Sequence, residues 1–257
     1  MTNIAAHIGA KVSAFLVELA EMSRLLLSTL RLTFTSPPRW RHISGQMFSM
    51  GVLSVPVVLV TGAFMGMVVA AQSYYLLHKI SMETAIGPLV SLSMTNELGP
   101  VITGVILAGR VGASMAAELG TMKVTEQIDA LRAMATSPTR YLVVPRFISG
   151  VLMVPVLTAF AVFIGIAGGF LVAVCLKGVN AAYFLKLMYR YTDAGDVRVG
   201  LIKSAVFGAI IVIVACHRGF AAEGGAEGVG KAATRTVVIS CIAILIVDFF
   251  LDMLLLY

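Results

Sequence analysis

Charge is what this sequence has least of. Only 12% of its 257 residues are Asp, Glu, Lys or Arg, whereas soluble domains carry about a quarter. So few charges cannot coat a globule of this length, and 59% of the chain is apolar, with a mean hydropathy of +0.95. A soluble enzyme and a disordered chain are both excluded. Cysteine is scarce as well. Cys175, Cys216 and Cys241 stand far apart in apolar runs, which excludes a disulfide scaffold and makes them small buried hydrophobes. His7, His42, His78 and His217 share no ligand spacing with one another or with the cysteines, so no metal site is expected. No serine-hydrolase elbow or zinc-protease motif occurs, and no catalytic residue is expected. The N-terminus lacks the pattern of a cleavable signal: the first long uncharged run begins only after Arg41, and Glu18 and Glu21 interrupt the hydrophobes before it.

What is present is long hydrophobic runs. Crossing about 30 Å of hydrocarbon takes roughly 20 apolar residues as helix. Five such runs occur, at about 49–71, 86–109, 148–176, 201–216 and 236–257, which predicts an all-α integral membrane protein. The net charge of +6 does not point to nucleic acid, because the basic residues lie between the runs and form no patch with aromatics. They instead set orientation. With a cytoplasmic N-terminus, the inner segments 1–48, 110–147 and 217–235 hold thirteen Lys and Arg, and the outer side holds six (Lys79, Lys177, Lys186, Arg190, Arg198 and Lys203). This asymmetry predicts N-in, C-out.

Before the first run, Ile4, Ile8, Val12, Phe15, Leu19, Met22, Leu26 and Leu30 fall on one helical face. Such a helix either lies in the membrane interface or packs on the protein's own spans. It should end near Pro37-Pro38. Gly62 and Gly66, and Gly165 and Gly169, are small residues four apart and allow close helix contact, within one chain or between two.

Glu97 is the most informative residue, because a carboxylate inside a span costs about 2.5–3.5 kcal/mol on insertion scales and must face protein, water or ligand. Beside it Pro100 removes an amide donor and clashes with the Asn96 carbonyl, so the helix is disturbed at this point. Disturbed helices survive at this depth only when buried in protein or lining a wet cavity. Glu97 therefore marks a cavity wall or a kinked helix paired with a neighbouring span, with Lys203 the candidate partner. Gln72 to Tyr75 suit an interface. Asp248 and Asp252, one turn apart near the end of the last run, are explained by snorkelling or a polar seam. A proton-coupled secondary transporter using Glu97 is the alternative function.

Two cytoplasmic stretches complete the reading. Gly225 to Ala232 matches a phosphate loop except that Ala232 replaces the magnesium-binding Ser or Thr and no strand precedes it, so a flexible glycine-rich turn is expected. Within 110–147, residues 124–134 predict a helix with Ile128 and Leu131 on its apolar edge and Glu126, Asp129 and Arg132 on its polar face. It either docks in another protein's groove or packs under its own bundle.

Several blocks resemble the MlaE/YrbE permease family: Asn96-Glu97-Leu98-Gly99-Pro100-Val101, Ala108 to Ser114, Ala117 to Met122, Thr125 to Leu131, Pro145-Arg146-Phe147, Leu201 to Ser204, Gly228 to Thr234 and Asp248 to Leu251. They run in order through about residues 45–255. The resemblance implies an N-terminal elbow region at 1–48 and a permease domain at 49–257. It implies a homodimer in the bacterial inner membrane, working with a cytoplasmic ABC ATPase and a periplasmic hexameric MCE-domain protein to move phospholipid and maintain outer-membrane asymmetry. ATP and magnesium would be bound only by the partner, and this chain would hold no cofactor. Lipid contacts map to Gln72, Tyr75, Glu97, Leu98 and Lys203, and coupling to the ATPase maps to Glu126, Ile128, Asp129, Leu131 and Arg132. Some members carry a basic residue where this sequence has Asn96, which removes a headgroup contact from that position.

Overall fold

The computed structural model describes residues 2–35 and 40–255, and side chains from residue 9 onward except 11, 14 and 15. The expected face positions Ile4, Ile8 and Phe15, the terminator Pro37-Pro38 and the last two residues of the final run lie outside the described residues. Every regular element described is helical: α1 (Thr2–Thr35), α2 (Trp40–Met50), α3 (Val55–His78), α4 (Ile86–Leu92), α5 (Gly99–Leu107), α6 (Ala113–Val124), α7 (Gln127–Ala133), α8 (Val144–Phe170), α9 (Ala181–Tyr191), α10 (Ala194–Phe220) and α11 (Gly225–Leu255).

These elements join into five membrane-spanning helices, Trp40–His78, Glu83–Val124, Thr139–Leu176, Ala194–Phe220 and Gly225–Leu255. The second and third keep going through π-helical turns, at Ser93–Leu98 and Ala108–Gly112 in the second. At about 1.5 Å per residue the 42 residues of the second span reach well beyond the hydrocarbon. The expected 110–147 loop is therefore mostly helix, and its true turn shrinks to 125–138 around α7. The fourth span begins at Ala194 rather than Leu201, because Asp193 and Asp196 form a capping box that satisfies the first amides of α10. Asp193, Asp196 and Arg198 look like loop in the sequence and are helix start in the structure.

Short turns make consecutive spans antiparallel, which divides the molecule into an α7 end and an α9 end. The larger core joins α5, α6, α8 and α10 through Leu107, Leu119, Leu157, Phe207 and Ile211; the smaller gathers Ile86, Val90, Met94 and Phe184 toward the α9 end. Between α3 and α8 the two glycine pairs meet each other. A Cβ on Gly66 would overlap the Gly165 carbonyl, and one on Gly62 would press on the Ala161 backbone. The small residues thus serve packing within the chain.

The second half of α1 packs on this bundle through Met22, Leu25, Leu26 and Leu30, and Glu18 and Glu21 pair with Arg218 and His217 of α10. Val12 and Leu19 stay exposed. The glycine-rich stretch differs from expectation: Gly225 to Ala232 forms the opening turns of α11, with Lys231 paired to Glu227 at 2.6 Å. The turn sits just before it, where Gly224 and Gly225 take φ of +82° and +70°, a region that favours glycine. Cys175 is exposed, unlike buried Cys216.

Gly66→Ala should lower the melting temperature in detergent by the equivalent of about 1–3 kcal/mol of overpacking. Gly230→Ala, whose Cβ meets nothing within 4 Å, should leave it unchanged or raise it. Differential scanning of the two purified variants checks the pair.

Candidate functional site

Pro100 has no amide hydrogen, so the carbonyl of Asn96, four residues back, loses its helical partner. The chain responds with the π-helical turn Ser93–Leu98, in which the Gly99 amide reaches back to the Met94 carbonyl. The freed Asn96 carbonyl then accepts a hydrogen bond from the Lys203 ammonium of α10 at 3.0 Å. The disturbed helix is thus the device that presents an acceptor to a buried cation.

Lys203 is 0% exposed and donates a second hydrogen bond to Glu97 Oε1 at 2.9 Å. Asp248 Oδ1 lies 3.1 Å from the same ammonium, and Asp252 Oδ1 also pairs with it. These groups come from three different spans. One ammonium faces three carboxylates, so formal negative charge is left uncompensated within the group. Asn96 extends the network by donating from Nδ2 to Asp196 Oδ1 at 3.2 Å. Glu97, Asp248 and Asp252 bring ligand atoms within 4.8 Å of one another, a spacing able to hold a metal ion. The Lys203 ammonium already stands among them, and a divalent cation would have to displace it.

Glu97 is not sealed, since its side chain is 40% exposed. Close by, an apolar cleft of about 410 Å³ is lined by Thr95, Gly200 and Leu201, next-door neighbours of the group, together with Thr158, Val162 and Phe163. Neither Glu97 nor Lys203 lines it.

The expected lipid contacts divide in two. Glu97 and Lys203 are joined directly, and Leu98 packs beside them on the smaller core. Gln72 and Tyr75 are exposed on α3, where they line a separate shallow depression with Ala71 and Leu76. Asp248 and Asp252 belong to the central group, so of the two expected readings the polar seam holds and snorkelling does not. Their four-residue spacing on a span opposite a lone intramembrane lysine was the available signal.

The expected coupling residues divide as well. Ile128 is buried in the chain's own core and Leu131 packs against it, so they hold α7 to the bundle. Glu126, in the left-handed region at φ 60°, and Arg132 remain exposed, as does Met134 at 67%. Asp129 pairs with Lys123 at 2.8 Å and Arg132 at 3.1 Å. The Lys123 hydrogen bond holds its carboxyl below the usual carboxylate range.

Lys203→Met leaves the three carboxylates facing one another without their cation, and breaking a buried ion pair this way costs about 3–5 kcal/mol. The variant should show a sharply lower melting temperature. Adding Asp252→Asn should recover part of the loss, and failure of that rescue would show that the cluster's charge is not what holds these spans.

Residues 43–254 match the family model described as Permease MlaE. A protein of Rickettsia conorii named Probable ABC transporter permease protein is 42% identical over 96% of this chain and 95% of its own length. A similarly named protein of Synechocystis is 45% identical over 83% of this chain and 81% of its own. The Intermembrane phospholipid transport system permease protein MlaE of Haemophilus influenzae is 41% identical over 80% of this chain and 79% of its own. With the family model covering nearly all of the five-helix bundle and the Glu97, Lys203, Asp248 and Asp252 positions inside it, the chain belongs to the MlaE permease family.

Proposed function

We propose that this chain is the membrane-embedded subunit of an ABC-type transporter that moves phospholipid between the bacterial inner membrane and a periplasmic MCE-domain carrier, and so helps maintain outer-membrane lipid asymmetry. The observation that carries the reading is the Lys203–carboxylate group, set at a half-open edge of an otherwise apolar bundle. A site for a two-chain amphiphile needs a broad apolar wall with a few polar groups at one level, and this edge has that composition. The names of the Haemophilus, Rickettsia and Synechocystis relatives point the same way.

An edge carrying uncompensated charge is costly against acyl chains. A second copy related by a two-fold axis would place the same edge opposite and enclose a wet chamber, which supports the homodimer. Gln72 and Tyr75 would line its rim. ATP would be hydrolysed on a cytoplasmic partner subunit contacting Glu126, Arg132 and Met134, the exposed residues around α7. Ile128 and Leu131 would act by fixing α7 to the spans, so that its displacement moves them. The basic residues at the α7 end support a cytoplasmic placement, with the N-terminus inside and the C-terminus outside.

Glu97→Lys should reduce transfer of a fluorescent phospholipid from proteoliposomes containing the assembled transporter by at least about tenfold, with the chain still inserted in the membrane. Met134→Asp, on an exposed position, should uncouple ATP hydrolysis from transfer without lowering the melting temperature. Wild-type transfer in the first variant, or wild-type coupling in the second, would remove the corresponding role.

A further inference from the structure

At the α7 end, about 20 Å of helix away from Glu97, the structure holds a polar cavity that the reading above does not use. It measures about 270 Å³ and lies between α2 and the second span, with Gln46, Ser49, Arg110, Ser114 and Glu118 as its polar lining. Arg110 is anchored by donating from Nη1 to the buried hydroxyl of Ser54 at 2.6 Å. No carboxylate among the described residues pairs with it. Glu118 does not cancel its charge, because that carboxylate is matched by buried Arg146 at 2.8 Å. Gln46, Ser49 and Ser114 have no side-chain hydrogen bond among the described residues. A guanidinium with most of its fork unspent, ringed by hydroxyl and amide donors, matches the oxygens of a phosphate.

The surroundings say where that phosphate comes from. Trp40, at the start of α2, is 71% exposed. Tryptophan in that position marks a membrane–water boundary. Phe48, Val52 and Leu53 are exposed within a few residues of the lining positions Gln46, Ser49 and Met50 and offer apolar side chains to the surrounding leaflet. We propose that this cavity binds the phosphodiester headgroup of a glycerophospholipid in the leaflet at the α7 end, with Arg110 gripping the phosphate and the acyl chains lying over Phe48, Val52 and Leu53. Gln46, Ser49 and Ser114 donate to the remaining oxygens. The site stands whether or not the Glu97 group handles lipid, since it shares no residue with that group.

The test places the photocrosslinker p-benzoylphenylalanine at position 48 of the full chain, in place of exposed Phe48, which does not line the cavity. The protein is held in nanodiscs of phosphatidylethanolamine and phosphatidylglycerol in equal parts, and adducts are identified by mass spectrometry. A whole phospholipid should be captured. Its yield should fall by about tenfold or more in Arg110→Gln and persist in Arg110→Lys. Ser114→Leu, which fills the cavity from an exposed position and spares the core, should lower the yield as Arg110→Gln does. The same crosslinker at exposed Phe163, on the far cleft, should give an adduct that none of these variants changes. Equal yield in wild type, Arg110→Gln and Ser114→Leu would reduce the adduct to passing bilayer lipid and overturn the proposal. Capture of protein in place of lipid would overturn it too. Loss of the adduct on adding millimolar inorganic phosphate or glycerol 3-phosphate would assign the cavity to a soluble phosphate and overturn the lipid source.

Discussion

One buried ammonium organises the membrane half of this molecule. Taking a lysine out of water costs several kcal/mol, and that cost is offset only where good partners surround the charge. Lys203 has four: the Asn96 carbonyl and the carboxylates of Glu97, Asp248 and Asp252. They arrive from the second and fifth spans, while the lysine belongs to the fourth. The requirement that this cation be satisfied therefore ties three helices to one register at a level where lipid offers no substitute partner. Pro100 serves the same need, since the amide hydrogen it lacks leaves the Asn96 carbonyl free to accept from the lysine.

Packing supplies the second constraint. Hydrophobicity does not pull helices together when the solvent is itself hydrocarbon, so close approach and polar contacts must do so. Between α3 and α8 the approach is set by Gly62, Gly66 and Gly165, whose missing side chains let the backbones touch. Between α4 and α9 it is set by Gly87 against Phe184 and by the Thr192 hydroxyl donating to Ser91 at 2.8 Å. The polar group at Lys203 and the glycine seam thus lie on different helix pairs, and each positions part of the bundle.

The two ends of the bundle differ in chemistry. Toward the α9 end the chain presents a half-open edge with excess carboxylate. Toward the α7 end it presents the Arg110 cavity, the Glu118–Arg146 pair and the small helix α7 held by Ile128. A continuous second span links them, running from Glu83 to Val124 through both π-helical turns. π-Helical turns are rare inside α-helices and occur frequently at functional sites. The span that carries Glu97 is thus also the one that runs on to the turn holding α7.

Composition and run length alone determined that the chain is helical and membrane-embedded, because a hydrocarbon slab of fixed thickness admits few other solutions. Glu97, Pro100 and the glycine pairs were legible for the same reason: each violates what an isolated apolar helix prefers, and the violation is visible locally. The partners of those residues were not. Asp248 and Asp252 lie about 150 residues from Glu97, and sequence offers no measure of which faces of two distant helices will meet. The turn at 110–147 was overestimated because its small and charged residues looked like loop, whereas they continue the helix under a tertiary cover. Ile128 likewise showed an apolar edge without showing what covers it. Periodicity reports that a face must be buried, and only the packed structure decides against what.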